Sequence, residues 1–168
     1  MMDEKQVGME EMDAVVSETD REQVVKEAKK KALYLLEKQD RTEYQLLEKL
    51  AEKGFAEDVA MEALQYVKAF HYVDDERYAR QYVSYRQHTK SRRQLTMDLL
   101  RKGVDKEVID VAIQEEYEGD ERKMIQDLLD KRQFDPVHAD YRETNRMMAF
   151  LLRRGFTMED VKHCLKKR

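Results

Sequence analysis

Residues 46–55 read LLEKLAEKGF, and two later stretches repeat their pattern: LTMDLLRKGV at 95–104 and MAFLLRRGF at 148–156. Each stretch ends in a glycine and an apolar residue, with a leucine four residues before the glycine. Successive glycines are 49 and 52 residues apart; they are Gly54, Gly103 and Gly155. A repeat of about fifty residues indicates one supersecondary unit that is used three times.

Each repeat carries the signals of one helix that ends and another that begins. A lysine or arginine stands before each glycine, where a cation stabilises the negative end of the helix dipole. The glycine then occupies the position after the helix that often requires a left-handed backbone. Acidic stretches at 57–58, 105–107 and 159–160 suit the start of the next helix. The pattern therefore predicts a helix-turn-helix in every repeat.

A further helix is predicted before each of these pairs, over about 21–39, 75–88 and 120–133, from apolar residues at helical spacing. The sequence thus predicts an all-α fold of three tandem three-helix, helix-turn-helix-like repeats that stack in an elongated array. We call the repeats modules 1, 2 and 3. Their predicted bounds are 21–72, 73–118 and 119–168, after an acidic N-terminal arm at 1–20.

Composition and charge agree with such an array. The 168 residues are 40% charged and 41% hydrophobic, and they include one proline and five glycines, as expected of a helical protein with much exposed surface. The net charge is −4, but residues 1–20 hold seven acids and one base, so the remainder is at +2. We interpret the arm as a flexible, solubilising tail. The alternative is an anionic mimic that covers a basic surface of the same protein.

No catalytic or metal-binding pattern is found in the sequence. There is no Gly-rich phosphate loop, no GxSxG and no HExxH, and the four histidines are isolated from one another. The single cysteine, Cys164, excludes an internal disulfide and occupies a small-residue position of the repeat. No secretion signal or membrane-length apolar run is present. We therefore predict a soluble cytoplasmic protein that is not an enzyme, with no cofactor, no metal and no membrane contact.

The stretch YVDDERYARQYVSYRQ at 72–87 contains the one cluster of acids that resembles a reaction centre. Asp74 is a good N-cap residue, and Asp75 and Glu76 suit the positive end of a helix dipole. We interpret these acids as the start of a helix, with metal binding or catalysis as the alternative. Tyr78, Tyr82 and Tyr85 then share one stripe of this helix, and we expect them to pack and to position it.

The remaining signal is cationic, and it continues into the connection RQHTKSRRQL at 86–95, which contains no acid. Such a stretch at a helix N-terminus favours anions, so it predicts contact with a polyanion or an acidic protein surface. The candidate partner-binding residues are Arg77, Arg80, Arg86, Lys90, Arg92, Arg93 and Arg101.

The middle of the chain resembles the RecX family of regulatory proteins, which modulate the RecA recombinase. The resemblance is most specific in FHYVDDERYARQYVSYR at 70–86 and SRRQLTMDLLRKGV at 91–104. The flanking ALYLLEKQDRTEYQLLEKLAEKGF at 32–55 and MMAFLLRRGFTMEDV at 147–161 are similar to the family's other repeats. The resemblance extends over about 24–168. This sequence departs from the family at two usual glycines, where it has His71 and Ser91.

The resemblance implies a curved array of three-helix repeats without enzymatic activity. RecX-like proteins lie in the groove of the RecA–single-stranded DNA filament and damp recombination, ATP hydrolysis and coprotease activity. They can also contact DNA directly, so single-stranded and double-stranded DNA are expected partners beside RecA, in DNA repair, recombination and the SOS response. We expect a monomer. The alternative function is a stand-alone nucleic-acid-binding helical protein that does not depend on RecA.

Overall fold

The computed structural model describes the backbone of residues 4–166 and the side chains of residues 17–166. Over this range the chain forms nine α-helices and no strand, which confirms the predicted all-α fold of three-helix repeats. None of the described helices is both long and apolar enough to cross a membrane. The helices are α1 (Glu4–Lys38), α2 (Glu43–Glu52), α3 (Glu57–Ala69), α4 (Asp75–Arg86), α5 (Arg92–Arg101), α6 (Lys106–Glu116), α7 (Glu121–Lys131), α8 (Tyr141–Arg153) and α9 (Met158–Leu165).

Helix α1 begins at Glu4, so the predicted start of the first helix near Arg21 is wrong. Residues 4–20 contain one glycine and no proline, and their Glu, Met, Gln and Ala residues favour helix, so nothing in them interrupts it. The side chains of the predicted arm up to Val16 lie outside the described residues. The flexibility of the arm stays a prediction, as do the three module boundaries.

The chain divides into two compact units between Asp74 and Asp75. In unit 1, which ends at Asp74, α1 packs mainly on α3, and α2 packs on both. Ala28 and Ala32 of α1 are fully buried, and such small side chains allow a close approach of helices. Leu46 and Leu50 of α2 are also completely buried in the same core.

Unit 2 begins at Asp75 and contains α4 to α9. Helices α4 and α5 pack on α6, while α7 and α8 pack on α9. Leu95 and Leu99 of α5 belong to the same continuous buried cluster as Ile125 and Leu129 of α7. Modules 2 and 3 therefore share one hydrophobic core, a feature that the repeat pattern did not indicate.

The three repeat glycines lie where the sequence predicts them. Gly54, Gly103 and Gly155 have φ values of 88°, 78° and 86°. Each glycine N–H donates to the carbonyl three residues back at 2.9 Å, and the next residue donates to the carbonyl five residues before it. This pair of bonds defines a Schellman motif, which satisfies carbonyls that the helix end leaves open. The predicted left-handed glycine is confirmed in all three repeats.

Two other helices end in the same way without a glycine. His71 after α3 has φ 59°, and Gln133 after α7 has φ 52°. Their N–H groups and those of the next residues form the same two backward bonds, at 2.9–3.0 Å. His71 stands where the resembled family has glycine, and the left-handed backbone gives the physical reason for that preference.

Candidate partner-binding site

The acids of the middle motif mark the start of α4. Asp75 and Glu76 occupy its first turn, and Asp74 immediately precedes it. Within the described residues, no group of three or more His, Cys, Asp or Glu side chains is arranged to hold a metal ion. The positions support the interpretation of these acids as a helix start, where they complement the helix dipole.

Two of the three tyrosines of α4 pack as predicted. Tyr78 and Tyr82 stack with their ring centroids 6.3 Å apart and planes 13° apart, half-buried against the core of unit 2. Tyr85 is 85% exposed, so its predicted packing role is wrong. The core-facing side of α4 is centred on the buried Ala79 and Val83, and at about 100° per residue Tyr85 lies roughly 140° from that direction.

Lys90 is half-buried and bonded within the module. Its ammonium group donates to Asp98 Oδ2, and to the hydroxyl of Tyr82 at 3.3 Å. Tyr82 also donates to Asp98 at 3.1 Å. Burial is the largest single influence and disfavours the charged form of both ions. The hydrogen bonds and the charge attraction among Lys90, Asp98 and Tyr82 together outweigh it, so the pKa of Lys90 is raised and that of Asp98 is lowered. Lys90 therefore ties the connection to α5.

Two further predicted contact residues have ion-pair partners in unit 2. Arg80 pairs with Glu115 of α6 at 2.9 Å, which joins α4 to α6. Arg101 lies 3.6 Å from Asp98, but its side chain is 71% exposed. Arg77 is exposed next to the first turn of α4. Of these three residues, Arg80 therefore has the clearest structural role.

Arg86, Arg92 and Arg93 present their charge to solvent. Arg86 lies over the Tyr82 ring at 5.2 Å, and Arg92 lies over Tyr117 at 4.6 Å. All three are exposed, and none forms an ion pair with a described residue. Cation–π contacts hold a guanidinium in place without neutralising it, so the positive charge remains available to a partner.

The exposed side of α5 adds apolar surface to these cations. We define the α5 outer surface as Arg93, Met97, Leu100 and Arg101. Met97 and Leu100 are 46% and 40% exposed. The exposure of Leu100 was not predicted from the sequence, because the repeat places it between the buried Leu99 and the helix end. The surface thus combines an apolar centre with arginines at both ends.

A joint between the two modules of unit 2 fixes the start of α5, and sequence reasoning missed it. Ser91 is fully buried; its hydroxyl donates to the Arg154 carbonyl at 2.8 Å and accepts the N–H of Gln94 at 3.2 Å. A Cβ on Gly155 would lie 2.7 Å from that hydroxyl oxygen, and a Cβ on Gly119 would lie 2.2 Å from the Gln87 carbonyl. The joint therefore needs glycine at both positions.

Glu121 and Tyr117 complete this joint. A carboxylate oxygen of Glu121 accepts the backbone N–H of Arg92 at 2.8 Å and the hydroxyl of Tyr117 at 3.3 Å. Burial, with the nearby charge of Glu121, raises the pKa of the Tyr117 hydroxyl. The Tyr117 hydroxyl is therefore neutral and donates to Glu121, while the Tyr117 ring packs against the Arg92 guanidinium. These contacts position the start of α5.

Fold and surface together define a class: an all-α protein of tandem three-helix repeats with a basic, partly apolar surface on its middle module. Sequence models of the first, second and third three-helix domains of RecX match residues 28–66, 74–113 and 120–165. The chain belongs to the RecX family of regulatory proteins.

Individual relatives agree. The chain is 33% identical over 165 residues to "Regulatory protein RecX" of Caldanaerobacter subterraneus, covering 95% of this chain and 81% of that protein. It is 34% identical to the protein of the same name from Trichlorobacter lovleyi, covering 81% of this chain and 92% of that protein. A crystal structure of RecX from Lactobacillus salivarius aligns with a TM-score of 0.67 at 21% identity, over 85% of this chain and 95% of that one. A second crystal structure, of regulatory protein RecX, aligns with a TM-score of 0.70 at 22% identity, over 98% of this chain and 78% of that one.

Proposed function

We propose that this protein binds the filament that RecA forms on single-stranded DNA and modulates it, mostly by inhibition. Membership of a family of regulatory proteins supports the general role, and the resemblance of the middle motif implies RecA as the target. The activities affected are recombination, ATP hydrolysis and coprotease function. The protein then acts in the cytoplasm, in DNA repair, recombination and the SOS response, without catalysis of its own.

The observation that carries this proposal is the α5 outer surface. Protein interfaces combine an apolar centre with a polar rim, and arginine is enriched in them. Met97 and Leu100 supply the exposed apolar centre, and Arg93 and Arg101 flank it. The complementary partner is a protein surface that offers acidic groups around an apolar patch. We assign this surface to a contact with RecA.

The ion pairs within unit 2 support a smaller set of cations for this contact. Arg86, Arg92 and Arg93 have no ion pair among the described residues, whereas Lys90 and Arg80 are bound to Asp98 and Glu115. The three unpaired arginines supply the electrostatic attraction, and Lys90 and Arg80 maintain the module. Arg101 adds a largely exposed charge at the other end of α5.

Several weak contacts made by one chain produce strong overall binding, because each later contact is intramolecular. A protein that prefers one conformation of a filament shifts the filament toward it. Inhibition then needs no chemistry: the bound conformation turns over ATP more slowly than the free one. This mechanism requires only that the modules contact more than one RecA protomer.

The test is RecA-catalysed ATP hydrolysis on single-stranded DNA, titrated with the wild-type protein and with Arg86→Ala/Arg92→Ala/Arg93→Ala. Loss of three charge-assisted contacts should raise the concentration for half-inhibition by at least about tenfold, which corresponds to about 1.4 kcal/mol. Lys90 is left in place because its removal would disturb the fold. A matched control, Lys30→Gln/Lys49→Gln/Lys53→Gln, removes the same charge from exposed or half-exposed positions of unit 1.

Equal inhibition by the wild-type protein and the triple-alanine variant, with both folded, would remove the α4–α5 arginines from the contact. No effect of the wild-type protein on RecA would instead favour the alternative, a nucleic-acid-binding protein independent of RecA. That alternative predicts DNA binding that weakens steeply with salt in the absence of RecA, together with no change in RecA-catalysed ATP hydrolysis.

A further inference from the structure

Helix α8 of module 3 carries three arginines along one exposed face. Arg142, Arg146 and Arg153 are spaced by four and seven residues, so they lie within about 40° of one another around the helix. All three are exposed, and none forms an ion pair with a described residue. We define the α8 ridge as these three residues; it extends about 16 Å along the helix axis.

Two more unpaired guanidinium groups flank this ridge. Arg132 lies 3.8 Å and Arg154 lies 4.9 Å from the centroid of the Phe150 ring. One aromatic ring on α8 therefore holds two like charges that no described carboxylate neutralises. Arg132 and Arg146 also line the same open groove, which has a volume of about 500 Å³.

The acids near the ridge are already engaged. Glu143 is the only acid of α8, and it accepts the backbone N–H of Asp140 at 2.9 Å in a capping box. Asp135, on the wall of the groove, binds His138 at 2.6 Å. From Thr144 to Arg154 the chain contains three arginines and no acid. Glu143 and Asp135 keep their charge in these contacts, but the five arginines outnumber them, so the face is positive in a protein whose body is nearly balanced in charge.

We propose that the α8 ridge, with Arg132 and Arg154, binds the phosphate backbone of nucleic acid without reading its sequence. Guanidinium groups match phosphate oxygens in geometry, and phosphate contacts give affinity but carry no base information. Phosphates of one duplex strand follow at about 3.4 Å, so the ridge spans about five of them. This inference deepens the proposed function, on which it rests for the filament as the source of the DNA.

Phosphate is a better match than an acidic protein because the ridge has no apolar centre. Of the large apolar side chains of α8, which the structure describes throughout, only Tyr141 at the first position is exposed. Protein interfaces have an apolar core from which charge is depleted. The α5 outer surface has such a centre and the α8 ridge does not, so the two surfaces take different partners: protein for module 2 and nucleic acid for module 3.

The test is fluorescence anisotropy of the full-length protein, without RecA, on a labelled 30-nucleotide oligo-dT and on a labelled 30-base-pair duplex. The variant is Arg142→Gln/Arg146→Gln/Arg153→Gln, and the charge-matched control is Lys30→Gln/Lys49→Gln/Lys53→Gln. At 50 mM salt the variant should bind at least about tenfold more weakly, and the control should change little. The slope of log affinity against log salt should fall by about 2 on the single strand and about 3 on the duplex.

Three results would overturn the assignment. The first is unchanged affinity and salt slope in the α8 variant, and the second is an equal loss in the lysine control, which would make net charge the cause. The third is tighter binding of a labelled 30-residue polyglutamate peptide than of either DNA, which would make the ridge a surface for acidic protein. Because RecA is absent from this assay, its failure leaves the proposed regulation of RecA to the ATPase measurement.

Discussion

His71 and Gln133 hold a left-handed backbone at helix ends where the repeats elsewhere use glycine. An L-residue in this conformation costs about 1–2 kcal/mol, while glycine costs about 0.5–1 kcal/mol in lost freedom on folding. Replacing either residue with glycine should therefore relieve a small amount of backbone strain. Gln133 is the simpler case, because its side chain is exposed after α7.

Gln133→Gly should stabilise unit 2 by about 0.5–1 kcal/mol, because glycine adopts φ 52° without steric cost. Hydrogen exchange of the α7 amides in the full-length protein measures the change. Gln126→Gly is the matched control: it places the same substitution in the middle of α7 and should destabilise by about 1 kcal/mol. Loss of stability at Gln133 as well would show that the side chain makes a contribution larger than the backbone strain.

Single residues also show what a sequence can reveal. The three glycines were predicted because a repeat displays them three times, and each is determined by its own helix end. Ser91 was not, because its hydroxyl bonds to Arg154, 63 residues away. Gly119 is similarly explained by the Gln87 carbonyl from another helix end. A repeated sequence pattern can indicate the backbone conformation at a helix end. A close contact between segments far apart in the sequence produces no such pattern.

At the scale of helices, periodicity predicted the elements but not all of their packing. The spacing of Tyr78, Tyr82 and Tyr85 correctly placed them on one stripe of α4. It did not show that the side of α4 that faces the core is centred on Ala79 and Val83, which lie next to this stripe. The seven candidate cations were likewise identified by type alone. Which of them carry ion pairs depends on α5 and α6, whose positions the sequence did not give.

The link between the α4–α5 connection and α5 gives a pH-dependent prediction. Asp98→Asn removes the negative partner of Lys90, whose side chain is only 23% exposed, and should cost about 1–3 kcal/mol at pH 7. Folding lowers the pKa of Asp98, so the wild-type pair stabilises above about pH 4 and loses this effect as pH falls further. Folding raises the pKa of Lys90, so the effect is also lost above about pH 10.5.

Urea unfolding of the wild-type protein and the Asp98→Asn variant between pH 3 and pH 7 measures this difference. The difference in the free energy of unfolding between the two proteins should become smaller below pH 4. Asp110→Asn is the control, since it removes an exposed pair with Lys106 on α6 and should change stability by no more than about 0.5 kcal/mol. A gap that is constant over the whole range would contradict the assigned role of the carboxylate charge.

At the scale of the whole molecule, three sequence repeats form two compact units. The core of unit 1 contains residues from Val25 to Val73, and that of unit 2 contains residues from Ala79 to Leu165. The sequence predicted the number of repeats because each has the same helix-end signals. It did not predict that modules 2 and 3 share a core, because the spacing of leucines along the sequence is the same whether two modules share a core or have separate cores.

Thermal unfolding followed by hydrogen exchange should therefore show two transitions at most, with modules 2 and 3 losing protection together. The physical reason is that Leu95, Leu99, Ile125 and Leu129 are fully buried in one cluster, so neither module keeps its core without the other. Leu99→Ala should lower protection in α7 as well as in α5. Loss of protection in α5 with an unchanged α7 would show that the two modules unfold independently.

The joint of Ser91 with Gly155 and of Gln87 with Gly119 sets a rule for exchanging parts between homologues. Gln87 and Ser91 come from module 2, whereas Gly119 and Gly155 come from module 3. A chimera with its crossover near residue 118 would take positions 87 and 91 from one parent and positions 119 and 155 from the other, so a side chain larger than glycine at position 119 or 155 would clash. Crossovers near residue 74 keep the pair from one parent, and modules 2 and 3 should therefore be inherited and transplanted as a single piece.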